Sequence, residues 1–121
     1  MLKQLLDPRS LAVGRTVVGV SMLAQPGLVP ALLGVDRATR DRMAWVVQML
    51  GAREVALGVG ALVARKERRL WVAAGLLSDA VDAVVVAAAL GKGQVRTSTG
   101  AGMVVVAAGA AAIGADALRR A

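Results

Sequence analysis

The sequence predicts an all-α polytopic membrane protein: four transmembrane helices in an antiparallel bundle, forming a single domain over residues 1–121. Three observations predict it. Hydrophobic residues make up 57% of the chain and charged ones only 19%, for a mean hydropathy of +0.64. The apolar residues fall in four long blocks, Leu11 to Leu33, Met43 to Ala64, Leu70 to Leu90 and Thr99 to Ala115, each about the ~20 residues that a helix needs to cross ~30 Å of hydrocarbon. Charges collect between the blocks, as DRATRDR, ARKERR and GKGQVR, where a membrane chain places its loops.

The first helix opens at DPRS, with Asp7 as N-cap and Pro8 in the first turn, where a missing N–H costs nothing. It is expected over residues 8–24. Pro26, Gly27 and Pro30 in the following QPGLVPALLG break it and leave a short apolar extension over 28–33. A cleaved leader is not expected: Arg15 interrupts the apolar run and no A-x-A site follows. Asp36 to Arg42 reads as a loop, and the second helix as residues 40–64. The basic ARKERR turn leads to a third helix over 68–90. GKGQV then separates it from a fourth over 98–118, with Thr97, Ser98 and Thr99 as cap candidates.

Orientation follows from the lysines and arginines in the flanks. Lys3, Arg9, Arg65, Lys66, Arg68, Arg69, Arg119 and Arg120 lie on one side, and Arg37, Arg40, Arg42, Lys92 and Arg96 on the other. The bias predicts cytoplasmic termini. Trp45 and Trp71 fall near opposite interfaces, where indoles are favoured. Of the cytoplasmic set, Arg65, Lys66, Arg68 and Arg69 form a basic loop that orients the chain and is suited to anionic headgroups.

Composition excludes several activities. The net charge of +7 invites a nucleic-acid reading, but Phe and Tyr are absent and no basic face is interleaved with aromatics, so no nucleic-acid partner is expected. Cysteine and histidine are also absent, which removes disulfides, thiolate chemistry and the usual zinc and haem ligands. No cofactor, metal or catalysis is expected. Asn is missing, Ile113 is the lone isoleucine and arginine far outnumbers lysine. Such usage fits a GC-rich genome and an actinobacterial plasma membrane.

The candidate site is a set of charges inside the blocks. Arg53 and Glu54 stand together in MLGAREVALGVGAL, and LLSDAVDAV carries Asp79 and Asp82, three apart and so on one face. Counted at 1.5 Å per residue from the same end, all four lie about 14–18 Å deep. Depth pairs Arg53 with Asp82 and leaves Glu54 facing Asp79 without a cation of their own. Arg15, only about 6 Å from the inner end, either joins them or snorkels to the interface. Asp116 is the alternative partner for Arg15. One reading of the cluster is structural, a lock on helix register; a second is a proton or cation path built on Glu54, Asp79 and Asp82; a third is a polar surface satisfied by a partner subunit. Small residues surround it: Gly51 and Gly58 on the second helix, Gly75 on the third, and Ala110 with Gly114 on the fourth suit close helix packing.

With G-A-R-E-V-A-L-G in the second block and S-D-A-V-D in the third, the chain resembles an uncharacterised family of small bacterial four-helix integral membrane proteins. That family has a G-x-R-[DE] motif in helix two and aspartate in helix three. The resemblance covers residues 11–118 and implies the fold, with no activity attached. Glu54 stands where aspartate is commoner. The chain is also similar in kind to the small accessory subunits found beside actinobacterial Mce-type lipid importers, which implies other membrane subunits and lipids as partners. A homo-oligomer is the further possibility. Small homo-oligomeric multidrug transporters share the length and helix count, but they carry an essential carboxylate in helix one, where this chain has Arg15.

Overall fold

The computed structural model describes residues 7–94 and 96–120, and these are helical apart from short connections. Helix α1 spans Pro8–Ala24, α2 Leu28–Leu32, α3 Arg37–Val63, α4 Arg68–Gly91 and α5 Thr97–Arg120, with a 3-10 turn at Arg65–Glu67 before α4. Three helical stretches, Arg37–Val63, Arg65–Gly91 and Thr97–Arg119, are long and apolar enough to cross a membrane. Helix α1 has 17 residues, about 25 Å of rise against ~30 Å of hydrocarbon.

Local chemistry sets the boundaries. Asp7 caps α1 by accepting the Ser10 N–H at 2.6 Å, and Pro8 occupies the first turn. After Ala24 the chain reaches Pro26, which has no N–H to continue the ladder. The segment expected as a loop over Asp36 to Arg42 is instead the start of α3, because Asp36 is itself a cap. Its carboxylate accepts the Thr39 N–H at 3.0 Å and the Thr39 hydroxyl at 2.7 Å. Those bonds hold it below the ordinary carboxylate range, the hydroxyl contributing most. Thr97, Ser98 and Thr99 all lie inside α5 rather than capping it. The Gly100 N–H already bonds the Arg96 carbonyl, and the buried Thr99 hydroxyl donates to Leu33 O at 3.0 Å.

The helices associate as two close pairs, α1 with α3 and α4 with α5. In the first pair Ala12 lies against Gly58, Gly19 against Gly51 and Leu23 against Gln48. Residue numbers rise along one helix as they fall along the other. Backbone meets backbone there: a Cβ on Gly51 would stand 2.8 Å from the Gly19 carbonyl oxygen, and one on Gly58 2.7 Å from that of Ala12. In the second pair Arg69 reaches the Leu118 carbonyl at 2.8 Å, Leu76 lies beside Gly114 and Leu90 beside Gly100. Contact is looser here. A Cβ on Gly114 would find its nearest neighbour, Leu76 Cβ, at an ordinary 3.5 Å, and Ala110 is only half-buried.

The molecule is apolar outside and polar within. Leu77, Val84 and Val105 are 65%, 69% and 70% exposed, while Asp79 is 6% exposed. Half of the buried apolar side chains among the described residues are alanines, Ala12, Ala61 and Ala117. In water this would forfeit the hydrophobic driving force. In lipid it is the expected arrangement, since hydrocarbon solvates the outer valines and leucines while small residues let backbones approach.

Candidate functional site

The joint between the two helix pairs is ionic. Arg15, seven residues into α1, projects between α3 and α4, where one guanidinium nitrogen donates to Glu54 Oε2 at 2.8 Å and the other to Asp79 Oδ2. The side chains of Arg15, Glu54 and Asp79 are 10%, 13% and 8% exposed. Space for the guanidinium comes from α4: a Cβ on Gly75, one turn before Asp79, would stand 2.7 Å from an Arg15 nitrogen. A side chain at 75 would have to displace the guanidinium from that position.

Beside this core Arg53 makes a two-pronged contact with Asp82, at 2.6 and 3.2 Å, and a longer one to Glu54 at 3.4 Å. Glu54 therefore lies between both arginines. The Arg53–Asp82 pair is at the rim, about a third exposed on each partner, and the buried Arg53 Nε has no hydrogen-bond partner. Two guanidiniums face three carboxylates, a formal excess of one negative charge. Each cation comes from the first helix pair and both aspartates from the second, so the network joins the pairs to each other.

Of the residues singled out from sequence, the structure brings Arg15, Arg53, Glu54, Asp79 and Asp82 together, with Gly75 at the centre. Arg15 does not snorkel, and Asp116 is not its partner; Asp116 is engaged by Arg119 at 3.0 Å. Gly51 and Gly58 sit behind the network on the α1 side of α3. Gly114 belongs to the α4–α5 contact, beside Leu76, and Ala110 is half-buried one turn before it. In the basic loop, Arg65 and Arg68 line one cleft with Arg9, Arg69 bonds Leu118, and Lys66 is exposed. Sequence reasoning placed the Arg53–Asp82 rim but did not single out the small residues beside it. Ala52 and Ala56 flank Arg53 on α3 and are exposed at small-xxx-small spacing.

A cavity next to Arg15, lined by Leu11, Ala12, Leu57 and Trp71 among others, has about 10 Å³, the space of one water molecule. Among the described residues no three acidic side chains come together in metal-binding geometry. No family model, curated protein or solved structure matches the chain.

Proposed function

We propose that the protein is a non-catalytic, four-pass antiparallel bundle of the plasma membrane that serves as an accessory subunit of a larger membrane assembly. Helix α1 with its α2 extension makes the fourth crossing, and both termini are cytoplasmic. One observation carries the subunit reading: the Arg53–Asp82 pair lies at mid-depth, Arg53 about 15 Å from the Val63 end of α3 and Asp82 about 21 Å from the adjoining Arg68 end of α4, yet a third of it is uncovered. Ionic groups exposed to hydrocarbon are costly and as a rule face protein or a wet cavity. The exposed Ala52 and Ala56 beside Arg53 would let a partner helix approach closely enough to cover the pair. Among assemblies, an Mce-type lipid importer is the first to test, on the likeness in kind.

The experiment is purification of the endogenous protein in mild detergent with mass spectrometry of what accompanies it, combined with a photocrosslinking residue at Ala56. A membrane subunit crosslinked from Ala56, and not from Val105 on the far helix, is the expected result. Recovery as a lone small monomer, with no protein adduct at Ala56, would overturn the reading. The excess carboxylate favours a second one, a proton- or cation-coupled transporter using Glu54, Asp79 and Asp82. Proton flux in proteoliposomes, abolished by Asp82→Asn, would establish that reading in place of the first.

A further inference from the structure

At the end of the molecule where α1 starts and α3 turns into α4, three arginines from three elements converge on one cleft. It has a volume of about 510 Å³ and is lined by Arg9, Val13, Leu62, Arg65 and Arg68, well within the ~300–1,000 Å³ of small-molecule sites. The three cations have different tasks. Arg68 is half-buried and pinned, its Nε donating to the Ala61 carbonyl at the end of α3 at 2.8 Å. Arg9 and Arg65 are exposed, and their guanidiniums make no hydrogen bond or salt bridge among the described residues. The nearest acids in sequence are Asp7, which accepts the Ser10 N–H and lies within Coulombic range of Arg9, and the exposed Glu67.

The cleft is polar at one level and apolar at the next. Val13 follows Arg9 by one turn of α1, about 6 Å further into the bundle, and Leu62 lies in the last turn of α3, three residues before Arg65 in the following 3-10 turn. Val13 is 47% exposed, and Leu62 is half-buried. A ligand filling the cleft thus meets guanidiniums first and hydrocarbon side chains behind them. Guanidiniums match phosphate oxygens in geometry and charge, and basic pockets at membrane helix ends bind anionic headgroups.

We infer that this cleft is a binding site for the phosphate of an anionic phospholipid, held by Arg9, Arg65 and Arg68, with the start of its acyl chains against Val13 and Leu62. The apolar step distinguishes a lipid from free phosphate, which has nothing to place there. The site is independent of the subunit reading and needs only that this end of the bundle reach the headgroup layer.

The test is native mass spectrometry of the purified protein with phosphatidylglycerol, phosphatidylcholine or inorganic phosphate added to the micelles. Phosphatidylglycerol should be retained in preference to phosphatidylcholine by about tenfold or more, and Arg9→Gln with Arg65→Gln should remove most of that preference. Neither arginine bonds the protein, so the fold should survive, as circular dichroism can verify. Arg37→Gln with Arg40→Gln, at the opposite end, should leave retention unchanged. Equal retention of the two lipids, or an undiminished preference in the Arg9/Arg65 variant, would overturn the site. Displacement of phosphatidylglycerol by millimolar phosphate, with no effect of Val13→Asp, would identify a plain phosphate site and overturn its lipid assignment.

Discussion

Replacing Arg15 by leucine is expected to be the most damaging single change at the joint. The guanidinium is shared by Glu54 and Asp79, with all three side chains between 8% and 13% exposed. Its removal strands two carboxylates in a dry interior. Breaking a buried pair by removing one partner costs ~3–5 kcal/mol, which is roughly two to four powers of ten in the folding equilibrium and a large share of the ~5–15 kcal/mol that holds a typical domain. Interhelical hydrogen bonds in membranes average only ~0.6 kcal/mol, so a loss of the larger size would identify stranded charge as its cause. Arg53→Leu leaves Asp82 with about a third of its surface open. One part-exposed carboxylate is stranded there instead of two buried ones, and a loss of about 1–2 kcal/mol follows, between the exposed and buried limits. Equilibrium unfolding of the purified protein, read by helical ellipticity on titration with a denaturing detergent, measures both. The triple change Arg15→Met, Glu54→Gln, Asp79→Asn should recover much of the Arg15 loss, because no full charge is then left buried. An Arg53→Leu protein less stable than Arg15→Leu, or a triple variant no better than the single, would refute the assignment of Arg15 as the central tie.

Other outcomes follow from the packing. Gly75→Ala should lower stability by about 1–3 kcal/mol, since the added methyl meets an Arg15 guanidinium already fixed by two carboxylates; in an Arg15→Met background the same change should be nearly silent. Gly58→Leu should be severe, because the clash is with the Ala12 carbonyl, whereas Gly114→Ala, with 3.5 Å of clearance, should be neutral or slightly stabilising in the same assay. The Asp36 carboxylate is held low in the folded protein, so its stabilisation is fully present above about pH 4 and is lost as pH falls through the folded value. Asp36→Asn should remove that pH dependence, and a thermal midpoint falling equally in both proteins below pH 4 would refute it. Single cysteines at Glu67 and Gly93 should label from opposite faces of the membrane, Gly93 from outside, and labelling of both from one face would end the four-pass reading.

Hydropathy and charge spacing made most of the helical architecture legible, because a helix in lipid has to be long and apolar and its ends carry the polar residues. Cap chemistry was legible at Asp7 but misread at Asp36, where a charged cluster in the first turns of α3 looks like a loop until the Asp36–Thr39 bonds are seen. Depth counting brought Arg53 level with Asp82, since both helices are long and enter at recognisable ends. It misjudged Arg15 because a short helix is free to slide along its neighbour. What sets the level of α1 is the close approach of Gly19 to Gly51 and of Ala12 to Gly58, a contact between two glycine-bearing faces that no single helix's periodicity reveals. The one available signal was an accounting of charge: two acids at one depth lacked a cation, and Arg15 was the remaining intramembrane one.

The distribution of those charges gives the fold its order. Residues 8–63 form a helix pair carrying Arg15, Arg53 and Glu54, and residues 68–120 a pair carrying Asp79 and Asp82. Within each pair, small residues let the helices meet at short range, but such contacts in lipid are weakly specific, since hydrocarbon solvates an unpaired apolar face almost as well as a neighbouring helix does. Between the pairs the apolar contact is slighter still. Ionic contacts are different. Each pair alone would leave charge in hydrocarbon, so docking removes a cost that no lipid can relieve, and it does so only when Arg15 is level with Asp79 and Arg53 with Asp82. A shift of one helical turn, about 5.4 Å, would separate both contacts at once. The network therefore sets register where packing cannot, and the uncovered edge of Arg53 and Asp82 extends the same demand to whatever lies outside the bundle.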